Sequence, residues 1–191
     1  MILPLTYYGN PVLRQKGALV EDITPELQEL IDDMFETMEE YRGIGLAAQQ
    51  VGRPIQLTVI DISPVEDRPS TLELDGEEKD PKSFMPLVLL NPKIEPLGSE
   101  DKGGEGCLSF PELYGEVSRP GKIRVNALNR QGEPIEFVCA GLLARCVQHE
   151  TDHLHGILFI DRMDSEDKAE LREELDSLQK KTKADLAEAG D

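Results

Sequence analysis

The sequence predicts an α+β fold, with antiparallel sheets packed around a buried helix that carries a His-Glu-x-x-His motif, plus an N-terminal and a C-terminal helix. Three observations predict it. A helix pattern comes first, several strand patterns follow with no helix pattern between them, and two helix patterns close the chain. That order suits α+β rather than alternating α/β. A length of 191 residues suits one domain with a sizeable core.

The first helix is "ITPELQELIDDMFETMEEYRG". Thr24 can cap it, Pro25 suits its first turn, and Gly43 ends it. Leu27, Leu30, Ile31, Met34, Phe35, Met38 and Tyr41 form one apolar stripe at helical spacing, which reads as core. "GIGLAAQQVG" follows as a Gly- and Ala-rich connector, and "IQLTVIDI" reads as a strand. Residues 63–85 carry seven acids against three bases, with prolines at 64, 69 and 81, and read as an acidic loop insertion. "LVLLNPKIEP" reads as another strand. "KIRVNAL" and "PIEFVCA" alternate on either side of "NRQG" and read as a hairpin. "LLARCVQHETDHLH" starts apolar around most of its girth, which marks a buried helix, and ends at Gly156. Residues 164–191, with Leu171, Leu175, Leu178 and Leu186 on one side, read as an acidic amphipathic helix packed on the domain formed by residues 1–163.

The formal net charge is −18. Such an excess disfavours nonspecific nucleic-acid binding, which runs on Lys and Arg meeting phosphates, so no DNA partner is expected. The acids form either two solvated surfaces or an adaptation to a salt-rich cytoplasm, where screening relieves self-repulsion. No apolar run reaches the roughly 18 residues of a membrane span. The start, "MILPLTYYGNP", lacks the basic and long apolar regions of a signal peptide. Cys107, Cys139 and Cys146 are odd in number and widely spaced, which points to a reducing compartment. The expected location is cytoplasmic.

All three histidines fall within "VQHETDHLHG". On a helix His149 and His153 are i and i+4, so both rings leave one face and can grip one metal ion. Glu150 sits at the edge of that face, where a carboxylate can take the proton of a metal-bound water. Buried histidines beside a buried glutamate need partners, which favours a site over a chance match. A catalytic site of this kind keeps three protein ligands and an open position. His155 points about 240° away from His149. Cys146 lies about 10 Å along the helix axis from His153, too far for ligand bonds of about 2.0–2.3 Å to gather both with His149. Cys139 falls in a strand and reads as a small core residue. Cys107, in the Gly-rich "GGEGCLSFPE", is left as the third ligand.

Other uses of the motif fit less well. The metzincin pattern needs a histidine where Phe159 stands. A downstream glutamate ligand would come from Glu166, Glu170 or Glu173, all in a charged segment that reads as surface. A purely structural site would be closed by a fourth protein ligand, and Asp152 reads as exposed or as lying behind the ligands.

Three stretches together resemble the peptide deformylase family: "GIGLAAQQ" (Gly43–Gln50), "EGCLS" (Glu105–Ser109) and "QHETDH" (Gln148–His153). The likeness runs over most of residues 1–163, and the terminal helix resembles the longer-tailed bacterial type. The resemblance implies that Cys107, His149 and His153 bind the metal and that Glu150 is the general acid/base. It implies that the Gln50 side chain and the Leu108 backbone N–H stabilise the oxyanion, and that Leu142 and Cys146 line the methionine pocket. Gly43, Ile44 and Gly45 would pair with the peptide as an added strand. The implied substrate is the N-formyl-methionine end of a nascent chain at the ribosome, and the implied metal is Fe²⁺, with Zn²⁺, Ni²⁺ or Co²⁺ able to occupy the site. Arg145 departs from the family pattern, which has an apolar residue near the pocket. Either its stem packs while its charge reaches solvent, or the pocket rim is more polar. The acidic terminal helix also departs from the family's basic one and disfavours docking on ribosomal RNA. Glu105 and Arg119 flank the Cys107 segment with opposite charges and are expected to pair.

Overall fold

The computed structural model describes residues 1–190; Asp191, the last residue of the expected C-terminal helix, lies outside the described residues. Helix α1 is Pro25–Glu40. The Thr24 side chain accepts from the Leu27 N–H at 3.1 Å and Pro25 occupies the first turn, as the sequence predicts. Leu27, Leu30, Ile31, Met34 and Met38 bury the inner face. Tyr41 does not join them: the helix ends at Glu40, and Tyr41 turns outward, 44% exposed.

Strand β1 is Gly45–Ala47 and β2 is Leu57–Ile60. Strands β3 (Ser70–Leu74) and β4 (Glu77–Lys79) come next, then β5 (Leu87–Pro96). Strands β6 (Glu100–Cys107) and β7 (Phe110–Pro120) form a hairpin of their own, and β8 (Lys122–Leu128) and β9 (Pro134–Gly141) form the expected second hairpin. The main sheet runs β1-β2-β5-β8-β9-β3-β4 with every neighbouring pair antiparallel.

Residues 63–85 are not the expected loop. Their β3–β4 hairpin extends the sheet, with Leu72 fully buried opposite Cys139 of β9. The turn between the strands is Asp75-Gly76, both at positive φ (52° and 80°), which matches the twist of a tight two-residue hairpin. The charged residues that suggested a loop lie along an edge, where charge discourages further strand pairing.

Helix α2 is Leu142–Leu154. It and α1 sandwich the β1-β2-β5 end of the sheet. Leu57, Val59, Val88 and Leu90 face α1, while Ile60, Leu87 and Leu89 face α2 and meet Leu143, Ala144 and Val147. This explains why "LTVI" and "LVLL" read as unbroken apolar runs: both faces of those strands are covered. The single terminal helix of the sequence reading is divided at Leu171 into α3 (Ser165–Glu170) and α4 (Arg172–Ala189). Leu175 and Thr182 seat α4, and a Cβ on Gly9 would lie 2.9 Å from the Gln179 carbonyl oxygen, so the helix passes close over the N-terminal segment. Leu186, counted on the apolar face, is 41% exposed.

Candidate active site

Every residue of α2 except Asp152 is buried. His149 and His153 stand one turn apart on it, with ring centroids 5.2 Å apart. Cys107 enters from the end of β6, where a bulge at Gly106/Cys107 turns the strand, and its Sγ lies 3.3 Å from His153 Nε2. The ligand atoms of Cys107, His149 and His153 all lie within 4.8 Å of one another. His149 gives Nδ1 to Glu105 at 2.8 Å, which leaves its Nε2 facing the cluster. Burial holds the His153 pKa well below the ordinary imidazole range, so the ring is a neutral donor. One thiol and two imidazoles with a carboxylate alongside fit a divalent transition-metal ion. Cys146 and Cys139 stand apart from this cluster, as expected. Cys146 Sγ lies 3.7 Å from the Ile44 carbonyl, and burial pushes the Cys139 thiol up to about 12. His155 caps the end of α2 and is exposed.

Glu150 Oε1 lies 3.9 Å from His149 Nε2, and its Oε2 is buried with no partner among the described residues. Burial pushes this carboxyl up to about 7, against the pull of His149. A group of that kind can both accept and return a proton near neutrality. Gly45 makes room for it, because a Cβ there would lie 2.8 Å from Glu150 Oε1 and 2.9 Å from Cys146 Sγ. Gln50 is 1% exposed and held at both ends of its amide. Its Oε1 accepts from the Ala47 N–H at 2.9 Å, and its Nε2 donates to Ser109 Oγ at 3.1 Å and to Cys107 Sγ at 3.3 Å. Leu108 follows Cys107 directly and leans over Gly43, where a Cβ would lie 2.9 Å from Leu108 Cδ1.

These residues line a cleft of about 570 Å³, whose wall includes Gly43, Ile44, Gly45, Leu142, Arg145 and Cys146. Strand β1 is an edge of the main sheet, so the backbone of "GIG" has one side without a strand partner. A larger groove of about 950 Å³ on the other side of α2 takes in Gln148, Thr151, Asp152 and His155. Of the metal-ligating cluster, Cys107 and His149 line the smaller cleft.

Glu105 and Arg119 pair as expected, at 2.6 and 2.9 Å. Arg119 also donates to Asp152 at 2.8 Å. Burial opposes ionisation of Glu105, yet the hydrogen bonds from His149 and Arg119 outweigh it and bring the pKa down to about 2. Arg145 lines the cleft as a polar residue, the second of the two alternatives that the sequence left open. Its charge does not reach solvent; the side chain is buried and its guanidinium donates to Glu105, to the Val117 carbonyl and to the Asp101 carbonyl, each at 2.8 Å. Sequence reasoning also missed Ser109, whose hydroxyl holds Gln50, and Tyr7 and Tyr41 at the cleft. Ser109 carried a usable signal, its place two residues after Cys107; the two tyrosines carried none.

A buried His-Glu-x-x-His helix completed by a cysteine defines the chain as a metal-dependent hydrolase. The family model described as polypeptide deformylase matches residues 2–169. The chain belongs to the peptide deformylase family, enzymes that remove the N-formyl group from the formyl-methionine end of newly made polypeptides and release formate. It is 45% identical over 186 residues to the peptide deformylase of Opitutus terrae, covering 96% of each chain, and 44% identical over 163 residues to that of Aquifex aeolicus, covering 85% of this chain and 88% of the relative. Its fold is similar to that of a peptide deformylase from Legionella pneumophila, with a TM-score of 0.78 and 38% identity over 94% of this chain and 96% of the other.

Proposed function

We propose that Cys107, His149 and His153 hold one Fe²⁺ ion, with Zn²⁺, Ni²⁺ or Co²⁺ able to take the same donors, and that the residues around them divide the deformylation reaction as follows. An ion held by these donors would lower the pKa of a nearby water and polarise the formyl oxygen. Glu150 accepts the proton of the attacking water as its oxygen bonds to the formyl carbon, and returns that proton to the nitrogen as the C–N bond breaks. Its raised pKa and unpartnered oxygen support both transfers. Gln50 Nε2 and the Leu108 backbone N–H meet the charge that builds on the formyl oxygen. Gly43, Ile44 and Gly45 pair with the substrate backbone along the free edge of β1, while Leu142 and Cys146 face the methionine side chain.

The observation that carries this reading is the convergence of three donor atoms within 4.8 Å beside a buried, unpartnered carboxylate. The enzyme acts in the cytoplasm on formylated chains leaving the ribosome, without DNA or a membrane as partner. Residues 165–189 carry eight acids against five bases, an acidic balance that speaks against docking on RNA phosphates through the terminal helices. No helix among the described residues is long and apolar enough to cross a membrane. The test is anaerobic purification, metal counting and formate release from a formyl-methionyl tripeptide. One ion per chain is expected, with formate release proportional to Fe²⁺ content. Turnover by metal-free protein, or a full complement of metal with no formate, overturns the reading.

A further inference from the structure

We propose that Arg145 is a positioning residue for the metal centre: its guanidinium fastens the hairpin that carries Cys107 to the helix that carries His149 and His153. The inference rests on the ligand assignment above and adds to it what keeps the three donors in register.

The donors come from two separate pieces of structure. His149 and His153 belong to α2, whereas Cys107 belongs to the β6–β7 hairpin, which pairs with no strand of the main sheet among the described residues. A donor set split in this way needs a fixed distance between its carriers. Arg145 leaves α2 one turn before His149, on the same face. Its Nη1 donates to the Val117 carbonyl of β7 and to Glu105 Oε2 of β6, and its Nη2 donates to the Asp101 carbonyl of β6. One side chain therefore grips both strands of the hairpin at three points. The planar fork of an arginine suits this; a lysine ammonium has one nitrogen and cannot span the same acceptors.

The seat is shaped for it. A Cβ on Gly103 would lie 3.0 Å from Arg145 Cζ and 3.1 Å from its Nε and Nη2, so the guanidinium lies against bare backbone of β6. Glu105 is shared: Oε2 meets Arg145 while Oε1 meets His149 Nδ1. The hold on Glu105 is thus also a hold on the orientation of a ligand ring. Arg119 and Gln148 tie the hairpin to α2 further along, through Asp152 and the Pro120 carbonyl. Arg145 acts beside the donors.

The test uses the full chain loaded with Co²⁺, whose thiolate charge-transfer absorption reports Cys107 in the coordination sphere, followed by chelator challenge. Arg145→Met keeps an unbranched apolar stem and removes the fork. It is expected to release Co²⁺ about 10–100-fold faster, the usual scale for losing a group that supports a ligand, and to weaken the thiolate band. Arg145→Lys should fall between it and the parent. Gly103→Ala presses on the guanidinium without removing its charge and should speed release in the same direction. Parental release and parental absorption in a folded Arg145→Met protein overturn the inference, whatever happens to its melting temperature. If that variant does not fold, parental release from both Arg145→Lys and Gly103→Ala overturns it. Failure of the parent to bind one Co²⁺ per chain, or retention of Co²⁺ by Cys107→Ala, instead overturns the ligand assignment.

Discussion

Gly45 and Glu150 occupy space that only a glycine could share: a Cβ at position 45 would lie 2.8 Å from Glu150 Oε1 and 2.9 Å from its Cγ. The "GIG" segment and the His-Glu-x-x-His helix are therefore fitted to each other. Gly45→Ala should displace the carboxylate by a fraction of an ångström to an ångström and lower kcat by about 10²-fold, the scale of a small misplacement of a catalytic group. Its metal content should match the parent. Parental kcat in this variant would mean that Glu150 can work from a shifted position.

Glu150→Ala should keep the fold and the metal but lose about 10²–10⁴-fold in turnover, because only proton transfer is removed. Metal counting beside the formate assay checks this. Loss of the ion would make Glu150 a ligand rather than an acid/base.

Cys107→Ala should release the metal and abolish activity. Cys139→Ala and Cys146→Ala should retain it, since Cys139 lies in the sheet core and Cys146 contacts the Ile44 carbonyl. Metal analysis of the three proteins side by side decides the matter.

The pair between Asp161 and Arg14 should shape acid stability. Burial opposes ionisation of Asp161, but hydrogen bonds from Arg14 and the Leu158 N–H prevail, and its pKa lies below the ordinary aspartate value. A lowered folded pKa gives stability that is fully present above the unfolded carboxylate range and is lost as pH falls through the folded value. Asp161→Asn should therefore flatten the plot of melting temperature against pH below about pH 4. The effect should stay below about 1 kcal/mol, because Arg14 and Asp161 are 45% and 32% exposed and solvent screens the pair.

The acidic surface should respond to salt. Melting temperature is expected to rise from low to molar NaCl while turnover changes little, as the Debye length falls from about 30 Å at 0.01 M to about 3 Å at 1 M. Asp167 reaches Lys102 at 3.5 Å, so the charges to neutralise are Glu166, Glu170, Glu173 and Glu174, which are exposed. Changing these four to Gln should raise melting at low salt and flatten the salt dependence. Coincident melting curves across the whole range would reduce these residues to an ordinary solvated face.

Segments with long, consistent periodicity were legible in the sequence. The stripe from Leu27 to Met38 and the alternation around "NRQG" each depend on near neighbours in the chain, and both form as read. The metal cluster was legible for a related reason: His149 and His153 share one helix face, and helix length alone excluded Cys146. The β3–β4 hairpin was not, because Glu73, Glu77 and Glu78 outweighed Leu72 and the Asp75-Gly76 turn in the reading. What makes this stretch a strand is pairing with β9, nearly seventy residues further along the chain. Arg145 was unreadable for the same reason. Two of its three acceptors are backbone carbonyls, at 101 and 117, which have no signature in a sequence, and the third, Glu105, lies forty residues away on another element.

Behind the donor cluster, Arg119 and Arg145 stand against Glu105 and Asp152: two positive and two negative groups, all at least largely buried. These four charges cancel, and the −18 of the chain resides outside this group. Substitutions on the exterior can add or delete carboxylates without a counterpart change around the ion. The catalytic chemistry and the colloidal character of the protein are free to evolve separately, so a lineage entering a saltier or fresher habitat can recolour its surface and leave the reaction centre as it was.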